Sequence, residues 1–191
     1  MMEPVINMVL CGLGGQGILF MTRVLAQTAL DKGFNVMGAE THGMAQRGGS
    51  VVSHLRIGEV EGSLVGLNRA HFLLALEENE GYRNLPFLAT GGRMVVNADP
   101  ATFPREQVKA FLQKKEILYR SIPAGTIAQD LGVPMSSNLA LLGYFSAFGE
   151  GPVGLGHLRA TIEKISPERF RESNLRIFDA GSERGRLENG T

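Results

Sequence analysis

At 191 residues the chain is long enough for one domain with a substantial core, and its nineteen basic and nineteen acidic side chains cancel, which leaves no basic field for nucleic acid or an anionic membrane surface. A single cysteine, Cys11, excludes an internal disulfide framework and an iron–sulfur cluster held by this chain's own thiolates. The opening Met1-Met2-Glu3-Pro4 lacks the basic end and apolar stretch of a signal peptide, and the longest uncharged run, Leu131 to Gly149, is interrupted by Gly132, Pro134 and Ser136-Ser137-Asn138, so a cytoplasmic protein is expected.

An apolar run from Val5 to Leu10 predicts a first strand over Ile6–Leu10. Cys11-Gly-Leu-Gly-Gly-Gln-Gly-Ile18 follows, and a long apolar segment, predicted as a helix from about Gln16 to Lys32, comes next. Gly12, Gly14 and Gly17 fit G-x-G-x-x-G, the fingerprint of a dinucleotide-binding βαβ unit. Glycines permit a tight turn, let a ligand approach the backbone, and leave the first helical N–H groups open to an anion. Gly15 adds an open N–H and Gln16 a side-chain amide, so a phosphate, carboxylate or partner-backbone contact is favoured over a turn without a ligand. The helix is apolar nearly all round: its polar residues Arg23, Gln27 and Asp31 form one narrow stripe, which predicts burial on most sides, inside the fold or under a partner.

A second strand is predicted over Asn35–Gly38. Glu40 lies just past it, where a dinucleotide domain places the acid that binds a ribose hydroxyl; a helix cap or a surface charge is the alternative. In the segment from Glu40 to Ser50, Arg47 combines a fork of N–H donors with the permissive backbone of Gly48-Gly49 and the hydroxyl of Ser50, which suits phosphate or carboxylate. His42 is a candidate acid or base, though a lone loop histidine is more often without such a role.

Further strands are predicted over Val51–Ile57, Phe72–Leu76, Met94–Asn97 and Ile117–Ile122. Several are short continuous apolar runs, as in a parallel sheet covered on both faces. Ser136-Ser137-Asn138 reads as an N-cap, or as polar groups facing a ligand at the carboxyl edge of the sheet. The uncharged helix predicted over Asn138–Phe148 belongs in a core or an interface. After the loop from Gly149 to Gly154, a helix carries Leu155, Leu158, Ile162 and Ile165 on one face. Ser166-Pro167 then reads as N-cap and first helical residue of a last helix that runs to about Phe178 and stops near Gly181. The fold expected is α/β: one domain over residues 1–182 with a single Rossmann-like, open, mostly parallel sheet and helices on both faces, then a polar tail over 183–191.

Several chemistries are missing. There is no Cys-x-x-Cys, His-Glu-x-x-His or Gly-x-Ser-x-Gly. Gly12 and Gly17 have Walker A spacing, but Ile18-Leu19 occupy the places of Lys and Ser/Thr.

Three stretches together resemble the gamma-type domain of 2-oxoacid:ferredoxin oxidoreductases: Gly12-Leu-Gly-Gly-Gln-Gly17; Gly38-Ala-Glu-Thr-His-Gly-Met-Ala-Gln-Arg-Gly-Gly-Ser-Val51 with Ser53-His-Leu-Arg-Ile57; and Ser137-Asn-Leu-Ala-Leu-Leu-Gly143. The wording from Glu40 to Gly49 is most like the small (beta) subunits of the indolepyruvate branch. The resemblance implies a subunit that is inactive alone, in an enzyme that converts an aryl 2-oxoacid and coenzyme A to acyl-CoA, CO2 and reduced ferredoxin. It implies thiamine diphosphate and 4Fe-4S clusters in a large alpha partner subunit, with coenzyme A as co-substrate and ferredoxin as acceptor. It carries over Gly12, Gly14, Gly15, Gly17, Arg47, Gly48 and Gly49 as motif positions; Gln16 and Ser50 join them as candidate binding residues on the reading of the residues. No residue of this chain is assigned to catalysis or to a metal. Two other readings stay open: a stand-alone NAD(P)-binding oxidoreductase, supported by the glycine turn and Glu40, and a non-catalytic assembly module.

Overall fold

Along β1 (Ile6–Leu13) every residue from Asn7 to Gly12 is buried, the signature of a central strand covered on both faces. The computed structural model describes residues 5–42 and 48–190. After β1 come α1 (Ile18–Asp31), β2 (Val36–His42), β3 (Ser50–Ile57), β4 (Ala70–Ala75), α2 (Glu78–Asn84), β5 (Leu88–Asn97), α3 (Glu106–Lys114), β6 (Leu118–Ile122), α4 (Ala124–Asp130), α5 (Ser137–Ser146), α6 (Leu155–Ile165) and α7 (Glu168–Asn189). One sheet has the order β2-β3-β1-β4-β5-β6. From β1 through β4 and β5 to β6 the pairing is parallel, whereas β3 runs antiparallel to both β1 and β2.

That antiparallel strand is the main departure from expectation. A simple βαβ unit would lay β2 directly beside β1. Here β3 takes that place, in register from Ile6 opposite Ile57 to Leu13 opposite Ser50. The sheet is therefore mixed, though still mostly parallel with helices on both faces. An antiparallel return needs only a short link, while a parallel one needs a long crossover. The start of β3, with Gly48 and Gly49 before it, consequently lies at the carboxyl end of β1, beside the glycine turn. The strands also run longer than expected. β1 continues to Leu13, so Gly12 is a strand residue, and β2 continues to His42, so Glu40 is one too.

Alternation along the strands divides the core. Met8 and Leu10 of β1 face one side with Leu74 and Val95, under α1, α5 and α6. Val9, Cys11, Leu73 and Met94 face the other, against Leu85, Phe103, Leu112 and Ile117. In α1 the residues Ile18, Met21, Val24, Leu25, Thr28 and Ala29 are buried at helical spacing. Within the chain itself α1 keeps one outer face, with Leu19, Arg23 and Leu30, open to solvent.

The uncharged helix is core. In α5 every residue from Asn138 to Ser146 is buried, because α7 packs across its outer side. Each of the buried leucines Leu139, Leu141 and Leu142 contributes roughly 1.5–3 kcal/mol by leaving water. The two helices approach closely where side chains vanish. A β-carbon on Gly143 would overlap the Phe178 carbonyl, one on Gly181 the Ala140 carbonyl, and one on Gly185 would stand 2.7 Å from Ala147 Cβ. Gly181 is thus a packing residue and not the stop expected there. The helix runs on to Asn189 and ends at Gly190, whose φ of 72° is the left-handed conformation of a C-terminal cap. The Tyr144 hydroxyl donates to Glu188, inside the stretch expected to be a tail. Ser166 does not cap this helix either: its hydroxyl accepts from Asn174 Nδ2 at 3.0 Å, and Pro167 holds the cap position.

Candidate functional site

Between β1 and α1 the chain turns within Gly14–Gly17. Gly15 (φ 97°) and Gly17 (φ 81°) occupy backbone conformations that L side chains rarely adopt. The turn closes on itself: the Gln16 N–H donates to the Leu13 carbonyl at 3.1 Å, and the Leu13 N–H donates to Gln16 Oε1 at 2.7 Å. Gln16 therefore braces the turn from within. Its side chain lies over Gly12, where a β-carbon would stand 2.6 Å from Oε1.

The second motif meets the first. The Gly14 N–H donates to the Gly49 carbonyl at 2.8 Å, and a β-carbon on Gly14 would lie 3.5 Å from the Gly48 nitrogen. That is ordinary van der Waals distance; it is Gly48, at a φ of 73°, whose backbone conformation favours glycine. Ser50 turns its hydroxyl to Glu80 Oε2 at 2.5 Å. Arg47 lies outside the described residues, as does everything from Gly43 to Arg47, so the structure places the end of this motif and not its guanidinium. Around the turn, the N–H groups of Gly15, Gly17, Ile18, Leu19 and Phe20 have no acceptor among the described residues. Five open amides at the start of a helix suit an anion.

The third stretch joins as well. Asn138 is 4% exposed, and its Nδ2 donates to the Gly17 carbonyl at 3.1 Å. No side chain of the Ser136-Ser137-Asn138 triplet caps α5 as expected; a 3-10 turn over Pro134–Ser136 leads into the helix, and the triplet's asparagine ties the helix to the glycine turn. Two adjoining hollows open here. One of about 440 Å3 lies over Gly14, Gly15, Leu19 and Val51; the other, of about 330 Å3, lies between Phe20, Met135, Asn138 and Phe170. Their walls include Leu19 (43% exposed), Met135 (72%) and Phe170 (47%). A larger hollow of about 540 Å3 along α6 and α7 contains the Arg159–Asp179 ion pair and none of the motif residues, so it is not the candidate site.

Glu40 does not come to the turn. It is exposed, sits opposite Ser53, and β2 is held about 10 Å from β1 by the strand between them, at a spacing of about 4.8 Å. The ribose contact of a dinucleotide domain is not formed by this residue. For His42 only the backbone, at the end of β2, is described.

Glu80 was not apparent from the sequence. It is 1% exposed on α2, accepts from Ser50 and from Arg83 Nη1 (2.6 Å), and lies close to Cys11. The available signal was the acidic run Glu77-Glu78-Asn79-Glu80 directly after an apolar strand, which marks a helix start at the carboxyl edge. Burial pushes the Cys11 thiol far above its ordinary range, and the carboxylates of Glu80 and Glu77 add to the rise. Cys11 is accordingly expected to resist iodoacetamide at pH 8 in the folded protein and to react once the chain is unfolded in urea; labelling of the native chain at a free-thiol rate would contradict this. Among the described residues, no three or more His, Cys, Asp or Glu side chains gather to hold a metal, and no helix is long and apolar enough to cross a membrane.

Comparison with known proteins supplies a context for this geometry. Residues 7–184 match the family model described as pyruvate ferredoxin/flavodoxin oxidoreductase. The chain is 33% identical to indolepyruvate oxidoreductase subunit IorB of Methanothermobacter thermautotrophicus, over 92% of this chain and 95% of that one. It is 32% identical to the subunit of the same name from Archaeoglobus fulgidus, over 92% and 93% respectively. Its fold is similar to the crystal structure of a keto/oxoacid ferredoxin oxidoreductase gamma subunit from Geobacter sulfurreducens, with a TM-score of 0.76, 22% identity, and 95% of this chain and 99% of that one covered.

Proposed function

The chain belongs to the pyruvate ferredoxin/flavodoxin oxidoreductase family, and from that premise we propose that it is the small subunit of a cytoplasmic oxidoreductase acting on indolepyruvate or a similar aryl 2-oxoacid. The reaction takes the 2-oxoacid and coenzyme A to acyl-CoA and CO2 and passes the electrons to ferredoxin. Thiamine diphosphate in the large alpha subunit supplies the nucleophilic carbon for decarboxylation, and the 4Fe-4S clusters there carry the electrons. This chain's share is binding. The open amides of Gly15, Gly17, Ile18, Leu19 and Phe20 receive an anionic group of coenzyme A, with Arg47 as the second arm. Leu19, Phe20, Met135 and Phe170 provide apolar walls that exclude water from the thioester-forming end.

The observation that carries this reading is the 2.8 Å bond from the Gly14 N–H to the Gly49 carbonyl, which seats the Gly48-Gly49 pair against the glycine turn. Replacing Arg47 tests it. A charge-assisted hydrogen bond contributes roughly 1.5–3 kcal/mol. In the complex reconstituted with the large subunit, Arg47→Ala is expected to weaken apparent coenzyme A affinity or subunit association about ten- to a hundredfold. Arg47→Lys keeps charge but loses the fork and should recover little. A solvated loop arginine would change both by no more than about 0.5 kcal/mol, and that result would remove Arg47 from the site.

A further inference from the structure

Ser50 spends its hydroxyl on a carboxylate from another layer of the fold. Glu80 Oε2 accepts it at 2.5 Å, while Oε1 accepts from Arg83. The carboxylate has little freedom to withdraw. Its own N–H donates to Glu77 Oε2 at 3.0 Å, and its carbonyl accepts from Asn84 Nδ2 at 2.9 Å. The next residue, Gly81, presses the helix onto the sheet, where a β-carbon would stand 2.8 Å from Met94 Cε and 3.0 Å from Ala75 Cβ. The segment Gly48–Ser50 is thus pinned from two sides: to β1 by the Gly14–Gly49 bond and the pairing of Ser50 with Leu13, and to α2 by Glu80.

We propose that Glu80 is a positioning residue for the coenzyme site, setting through Ser50 the height at which Gly48 and Gly49 lie over the glycine turn. It touches no ligand. It fixes the segment that the Gly14–Gly49 bond joins to the glycine turn, so its loss is felt as weaker coenzyme binding and not as slower turnover. This inference rests on the coenzyme A reading above.

The test uses the reconstituted complex with Ser50→Ala, Glu80→Ala, the double variant and Glu80→Gln. Ser50→Ala and Glu80→Ala should each raise the apparent KM for coenzyme A about tenfold, the effect of losing one hydrogen bond to a charged group, with kcat within about twofold. The double variant should be no worse than either single one, because both remove the same bond. Glu80→Gln still offers an oxygen to the Ser50 hydroxyl and should restore KM to within about threefold of the parent. Additive single effects, or a Ser50→Ala complex with unchanged KM while Arg47→Ala raises it, would overturn the role of Glu80 and leave the coenzyme reading standing. If neither Arg47→Ala nor Ser50→Ala moves KM, the coenzyme reading fails. Hydrogen exchange of the Gly14 amide, which is bonded to the Gly49 carbonyl, then decides for Glu80: at least about tenfold faster exchange in Ser50→Ala supports the positioning role, and unchanged exchange refutes it. Should Glu80→Ala fail to fold, Ser50→Ala and Glu80→Gln carry the same comparison.

Discussion

Gly181→Ala should lower the midpoint of thermal unfolding by about 4–8 °C, although alanine is the better helix former. The two effects have opposite signs and their sizes decide between them. Helix propensity favours alanine by about 1 kcal/mol. Against it, the added β-carbon would overlap the backbone carbonyl of Ala140, and a backbone atom cannot rotate away as a side chain can. Forcing α7 from α5 would loosen a contact that covers every residue from Asn138 to Ser146. Overpacking of a tight core costs typically 1–3 kcal/mol, and a clash with backbone belongs at the upper end. For a chain of this length about 1 kcal/mol corresponds to roughly 2–4 °C. Gly156 provides the opposite sign. It lies within α6 with no neighbour within 4 Å of an added β-carbon, so Gly156→Ala should raise stability by up to about 1 kcal/mol. Calorimetry of both variants separates the effects. Equal shifts of the same sign would mean that the close approach of α5 and α7 does not govern stability.

The second large effect belongs to Gly17. Its φ of 81° penalises any L side chain by about 1–2 kcal/mol, and a β-carbon there would also stand 2.5 Å from Asn138 Nδ2. Gly17→Ala must therefore displace the asparagine that holds α5 to the turn, leaving a buried amide without its acceptor at a further cost of about 1–3 kcal/mol. Gly15 serves as comparison: its φ is 97°, but nothing lies within 4 Å of an added β-carbon. Gly15→Ala carries only the backbone strain. In urea unfolding, Gly17→Ala should lose about 2 kcal/mol more than Gly15→Ala. In the reconstituted complex it should also lose at least about tenfold in coenzyme A affinity, because the amides of Ile18 and Leu19 move with it. Indistinguishable behaviour of the two variants would refute the assigned role of Asn138.

Much of this arrangement is legible in the residues. Strand periodicity, the glycine turn and the uncharged helix appear close to where the sequence predicts them, because each depends on local pattern. The antiparallel insertion of β3 is not legible. Val51–Ile57 reads equally well as a parallel strand, and the neighbour it acquires depends on pairings between residues far apart in the chain, such as Ile6 with Ile57. Misplacing β3 is what makes Glu40 look like a ribose ligand. Glu80 is hidden for a related reason: its partner Ser50 lies 30 residues away, and a glutamate near a helix start ordinarily reads as a solvated cap. Gly181 misleads because glycine near the end of a helical pattern serves both as a stop and as a contact, and only the partner helix distinguishes them.

The cover that α7 lays over α5 has a meaning for how the protein is made. Translation delivers α5 first, at about 5–20 residues per second, so the nascent chain carries an uncharged, mostly apolar helix without its cover for seconds before Gly181 and Gly185 emerge to shield it. During that interval the half-made protein presents the cell with the kind of surface that holdase chaperones grip. The final helix thus closes over this surface only when the chain is nearly complete.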